Sequence, residues 1–93
     1  MNMTKDAQSP LPRRKSKQPA LRFKTGEDVH EYRKKLGLNQ SAFWSQIHIT
    51  QSGGSRYESG RNIPKPVQVL LHLAYGTTKQ AQDMFAWLRA DRT

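Results

Sequence analysis

Apolar residues recur at helical spacing in five short stretches, each with its own start or stop signal. Thr25-Gly26-Glu27-Asp28 reads as a capping box with acids in the first turn, and Val29, Tyr32, Arg33 and Leu36 then share one face up to Gly37. Asn39 is a good N-cap for a second helix over residues 40–47, where Phe43 and Ile47 stand four apart with Trp44 beside them. His48 and Ile49 form a tight connection to Thr50, which caps a third helix over 51–59 that Gly60 stops. Arg61, Asn62 and Ile63 form a loop. Pro64 and Pro66 suit only the first turn of a fourth helix, residues 65–75. Val67, Val69, Leu70, Leu71, Leu73 and Ala74 make that helix apolar nearly all round, which predicts a place in the middle of the core. Tyr75-Gly76 ends it. A second capping box, Thr77 with Gln80, opens a fifth helix over 78–91, whose apolar stripe of Ala81, Met84, Phe85 and Leu88 is either intramolecular core or in part a two-fold dimer surface, with Trp87 off it, the better candidate for a partner contact. No segment alternates as a strand does. The predicted fold class is all-α, a compact bundle of about five short helices over residues 23–93.

Residues 1–22 break this pattern. Pro10, Pro12 and Pro19 interrupt them, few apolar groups occur, and no period joins those that do. Such a segment cannot bury enough surface to offset its ordering entropy, so it reads as a disordered basic arm. Charge sharpens the contrast: residues 1–24 carry a net +6 of the +9 on the 93-residue chain. The arm is either a solubilising leader or a segment that lies along a phosphate backbone or in a minor groove. The charge balance favours polyanionic partners, nucleic acid first and anionic membrane surfaces second. There is no Cys, which excludes disulfides and thiolate metal sites. With no run long enough to span a bilayer and no secretory leader, a cytoplasmic, nucleoid-associated protein is expected.

The third helix is unusual in composition. Thr50-Gln51-Ser52-Gly53-Gly54-Ser55-Arg56 has no large apolar side chain before Tyr57. Glycine inside a helix costs about 1 kcal/mol relative to Ala, so two in succession imply the close approach of another surface. Short polar groups at a helix start suit base edges and phosphates, and two short helices joined by about three residues suit a helix-turn-helix. Gln51 and Ser52 also fit a capped, solvated helix start, and Arg56, Arg61 and Lys65 also fit ordinary solvated charges.

The runs Leu38-Asn39-Gln40-Ser41-Ala42-Phe43, Ile49-Thr50-Gln51-Ser52 and Arg56-Tyr57-Glu58-Ser59-Gly60-Arg61 together resemble the Cro-type, lambda-repressor-like helix-turn-helix domain of the Xre family. The resemblance covers residues 32–74, in register throughout. It implies a five-helix bundle that binds operator DNA as a two-fold homodimer, with a palindromic site. It places Gln40 at a phosphate and against Gln51, and Gln51 and Ser52 at base edges. Ser55 and Arg56, one turn on, match positions that reach bases or backbone, and Arg61 and Asn62 match the loop that grips the far phosphates. Thr50, Gly53 and Lys65 complete the expected DNA-binding set. Arg33 and Glu58 match a structural ion pair and stand outside it. Three positions depart from the family. Trp44 replaces a small Ala, Gly54 replaces a branched residue, and His48 replaces the turn glycine. The first two are complementary if the indole fills the space that Gly54 leaves.

Chemistry has little support. His30, His48 and His72 are far apart in sequence, Gly53-Gly54-Ser55 is followed by no phosphate-loop Lys, and no nucleophile elbow occurs. No catalysis, cofactor or metal is expected. The resulting expectation is a sequence-specific double-stranded-DNA-binding regulator, a repressor. Two alternatives stay open: an antitoxin that neutralises a toxin protein and represses its own operon, and a non-enzymatic module that binds an acidic protein or RNA.

Overall fold

The computed structural model describes residues 17–90, which form five α-helices and no strand. These are α1 (Gly26–Leu36), α2 (Gln40–Ser45), α3 (Gln51–Glu58), α4 (Lys65–Tyr75) and α5 (Thr78–Arg89). The basic arm expected over residues 1–22 falls, as far as residue 16, outside the described residues.

Local side-chain chemistry sets most of the helix starts. Thr25 Oγ1 accepts from the Asp28 backbone N–H at 3.2 Å, while the Asp28 carboxylate accepts from the N–H groups of Lys24 and Thr25. Asn39 Oδ1 accepts from Ala42 at 2.8 Å, and Thr50 Oγ1 accepts from Gly53 at 3.0 Å. Thr77 and Gln80 form the second capping box. Each such cap supplies an acceptor to a backbone donor that has no partner within its own helix. α4 has no side-chain cap and begins on its prolines. Gly37 closes α1 in the left-handed region, at φ 74°. α2 stops at Ser45, two residues sooner than its pattern suggests. There the chain tightens into turns, with Ile47 N–H donating to Trp44 O and His48 N–H to Ser45 O. His48 sits at φ 62°, a conformation that costs it less than it would cost a β-branched residue.

The core is built from Phe23, Val29, Phe43, Trp44, Ile47, Ile63 and Leu71, with Tyr32, Tyr57 and Tyr75 packed against it. Phe43 stacks on Tyr75 at 4.1 Å, and the Tyr75 hydroxyl donates to the Phe43 carbonyl at 2.6 Å, locking α4 to α2. Burial, with a smaller contribution from Tyr32, pushes the Tyr75 phenol above its usual range.

One expectation about the core fails and another holds only in part. α4 does not run through the middle of the bundle: Leu71 and His72 are buried, but Leu70 is 44% exposed. The helix is apolar nearly all round, yet neighbours cover only one side of it. On α5, Met84 is fully buried whereas Phe85 and Leu88 are 57% and 39% exposed, and Trp87 is half-buried. The large apolar residues that α5 turns outward are thus Phe85 and Leu88.

His72 is the buried polar group of α4, and both ring nitrogens are satisfied. Gln80 O, which can only accept, lies 3.1 Å from Nε2, so Nε2 carries the proton and Nδ1 accepts from the Arg22 backbone N–H at 3.0 Å. Arg22 also lays its guanidinium over the rings of Phe23 and Tyr32. The folded unit therefore includes Arg22, a residue that the sequence pattern assigns to the arm.

Candidate nucleic-acid interface

α2 and α3 pack as a pair across the turn at residues 46–50, and the contact depends on one small residue. A Cβ built on Gly54 would overlap the Trp44 indole, which is fully buried. The large ring on α2 and the missing side chain on α3 are complementary, and this accounts for one of the two helical glycines. A similar close approach fixes α1 on α3: a Cβ on Gly26 would run into the backbone carbonyl of Tyr57.

Glu58, the last residue of α3, is held from two other helices, α1 and α2. Its side chain is 3% exposed. Oε1 accepts from His30 Nδ1 at 2.8 Å, Arg33 Nη2 at 2.9 Å and Gln40 Nε2 at 3.3 Å. Oε2 accepts from Arg33 Nε at 2.9 Å and Trp44 Nε1 at 2.8 Å. Burial alone would raise the Glu58 carboxyl, but the hydrogen bonds from Arg33, His30, Trp44 and Gln40 outweigh it and hold it at about 2. Arg33 Nη1 also donates to Leu38 O at 2.8 Å, which ties the α1–α2 connection to the same group. The Arg33–Glu58 pair is legible in the sequence. The other donors are missed, although His30 with Arg33 (three apart) and Gln40 with Trp44 (four apart) each share a helix face.

From this anchored base α3 presents its first turn outward. Gln51 and Ser52 are exposed, and Gln51 Nε2 donates to Gln40 Oε1 at 2.7 Å. The structure thus brings Gln40 and Gln51 together. Thr50 is exposed with its hydroxyl engaged as the helix cap. Gly53 is half-buried, and a Cβ there would sit 3.3 Å from both Ile49 Cγ2 and Thr50 Oγ1. Ser55 is half-buried and lies back from the exposed edge, while Arg56 is exposed one turn beyond Ser52. Arg61, Asn62 and Lys65 are exposed on the loop that leaves α3 and at the start of α4; the Arg61 N–H donates to Arg56 O at 3.0 Å, folding the loop back on the helix end. No acidic side chain stands among the expected DNA-binding residues. Two acids stand near them: Glu58, which is buried and already paired, and Glu27, which is exposed and lines the same cleft as Arg61 and Asn62.

Among the described residues, no three His, Asp or Glu side chains gather where they could hold a metal ion, and no helix is long and apolar enough to cross a membrane.

Comparison with known proteins fits this geometry. The family model described as the RsaL-like HTH domain matches residues 30–74, the span from the second turn of α1 to the end of α4. Neither the curated proteins nor the solved structures gave a match. The matched span takes in α2, its turn and α3 whole, so residues 30–74 are a helix-turn-helix domain similar to the RsaL-like one, and the chain reads as a DNA-binding regulator.

Proposed function

We propose that the protein is a sequence-specific repressor of the Cro type that reads double-stranded DNA through the major groove with the first turn of α3. The observation that carries this reading is Gln51: it is exposed at the start of a helix and fixed by Gln40 from the preceding helix. A side chain held ready for a base edge loses little freedom on binding. Gln51 and Ser52 meet bases, Arg56 assists, and Gln40, Thr50, Gly53, Arg61, Asn62 and Lys65 lie along the phosphates. Ser55, being half-buried, supports the helix more than it reads sequence. The basic residues supply affinity that falls as salt rises, because each phosphate contact releases counterions. Repression follows from occupying a promoter, at the nucleoid, without catalysis or a cofactor.

A second copy completes the reader. Phe85 and Leu88 expose apolar surface on α5, and a two-fold pair joined there would read two half-sites of a palindrome about one helical turn apart. A toxin seated on the same helix is the competing partner. Sedimentation of the isolated chain separates the two, since only self-association gives a dimer without another protein.

Selection of preferred duplexes from a random pool tests the whole reading. Recovery of a palindrome with a fixed half-site spacing is expected. Recovery of no preferred sequence would refute sequence-specific reading.

A further inference from the structure

We infer that His72 and the peptide N–H of Arg22 form an acid-sensitive clasp, which holds the root of the basic N-terminal segment on α4 and opens when the imidazole takes up a proton. The inference stands on the helix bundle alone and does not depend on what α3 binds. His72 is 1% exposed, and its two ring nitrogens face different kinds of partner. Nε2 donates to Gln80 O at 3.1 Å, across the short connection from α4 to α5. That side is firmly built: the Gly76 N–H donates to His72 O at 2.9 Å, and the Thr77–Gln80 capping box fixes the start of α5. Nδ1 accepts from the Arg22 N–H at 3.0 Å, and Arg22 belongs to a stretch, residues 17–24, with no helix or strand of its own.

A second proton on the ring has one place to go, Nδ1. There it meets the Arg22 N–H head on, two donors with no acceptor between them. The imidazolium would also be a buried charge without a counter-charge in contact. The charged and titratable groups on the elements that meet here are Arg22 and Lys24 on the N-terminal segment, Asp28, Glu31, Tyr32 and Lys35 on α1, Tyr75 on α4, and Lys79 and Asp83 on α5. Among the described residues no carboxylate of this set pairs with His72: Asp28 caps α1, Asp83 pairs with Lys79 at 3.1 Å, and Glu31 lines the cleft beside Arg22. Lifting the Arg22 peptide is the least disruptive response, because Arg22 is exposed and water then reaches Nδ1 to solvate the charge. Phe23, 2% exposed in the core, stays in place and serves as the hinge. The sign follows from linkage: the open form binds the proton that the closed form cannot hold, so falling pH favours opening and rising pH restores the clasp. The released stretch lies within residues 1–24, which carry a net +6 of the chain's +9.

The test is nitrogen-15 NMR of the full chain, free in solution. At about pH 7.5 the ring nitrogens of His72 should report a proton on Nε2 and none on Nδ1. Lowering the pH to about 5 should move the His72 ring signals and the amide signals of residues 17–23 along one titration curve, while the amides of α2 and α3 hold still. His72→Gln keeps one donor and one acceptor but does not titrate, and should make the amides of residues 17–23 indifferent to pH over that range. His72→Phe removes the acceptor and should speed hydrogen exchange of the Arg22 N–H roughly tenfold at neutral pH. Should that variant fail to fold, the wild-type titration and His72→Gln decide without it. A proton on Nδ1 at neutral pH, a His72 ring that stays neutral down to about pH 5, or an Arg22 amide that ignores the titration of the ring would overturn the clasp. Joint loss of the folded signals of every helix would overturn it too, since the proton would then unfold the bundle rather than open one contact. No DNA enters these measurements, so failure of the clasp and failure of base reading by α3 are separate results.

Discussion

Replacing Glu58 by Gln keeps the shape of the side chain and removes its charge. The wild-type carboxylate accepts three hydrogen bonds on Oε1 and two on Oε2. Whichever way the new amide turns, its NH2 group faces at least two donors. Arg33, only 12% exposed, also loses its counter-charge. Leaving one member of a buried ion pair without its partner costs about 3–5 kcal/mol. His30 is 44% exposed and lets water reach one side of the site, so the low end, about 3 kcal/mol, is the expected loss. A domain of this size has a total stability of only about 4–10 kcal/mol, so the variant should lie near the edge of folding. At about 4–8 °C per kcal/mol, Tm should fall by roughly 12–24 °C.

Circular dichroism during heating and urea titration measures this loss, and its pH dependence checks the cause. The folded carboxyl is held at about 2 against an ordinary 4.5, so the unfolded chain takes up the proton first as pH falls. The stabilisation is therefore complete above about 4.5 and is lost as pH drops toward about 2. The gap between wild type and Glu58→Gln should shrink across that interval. A loss below about 1 kcal/mol at neutral pH, or a gap that stays constant through the acid range, would refute the account of Glu58 as a buried, ionised anchor.

Other consequences can be checked separately. Gly54→Ala should destabilise by about 1–3 kcal/mol although Ala is the better helix former, because the new methyl overlaps Trp44; adding Trp44→Ala should relieve part of that loss, and strictly additive denaturation energies would show that the two sites do not touch. Gln51→Ala with Ser52→Ala should flatten the affinity ratio between selected and random duplexes while leaving Tm nearly unchanged; surviving discrimination would move base reading elsewhere. Deleting residues 1–20 removes five Lys and Arg side chains and should make the salt dependence of binding shallower, whereas an identical slope would mean that the arm makes no phosphate contact. Phe85→Glu should convert a dimer to monomers in sedimentation; an unchanged mass would place the interface away from α5.

Much of the fold was legible because its signals are local. Thr25, Asn39, Thr50 and Thr77 each announce a helix through a hydrogen bond that spans only three residues. The turn between α2 and α3 was legible from spacing, and Gly54 from its helix cost. Burial on α4 and α5 was not legible, because it depends on which neighbours arrive. With apolar residues on nearly every side, α4 gives no cue that Leu70 faces out, and the periodic stripe on α5 is wide enough to contain both the buried Met84 and the exposed Phe85. His72 was unreadable for a related reason: its partners, the Arg22 backbone and the Gln80 carbonyl, lie 50 and 8 residues away and are main-chain atoms with no residue-type signature. The interface divides in the same way. The positions of Gln51 and Ser52 follow from the helix start, but the setting-back of Ser55 and the reach of Glu58 into α1 and α2 emerge only from packing.

The lock between Trp44 and Gly54 constrains how this domain can change over descent. A branched side chain arriving first at position 54 meets a ring that cannot withdraw. A small residue arriving first at position 44 opens a void and strips Glu58 of one hydrogen-bond donor as well. Either single step passes through a weakened protein, so the two sites should drift together or stay put. Among homologues, bulk at one position should accompany smallness at the other, and lineages that have lost the indole should carry a replacement donor near the carboxylate.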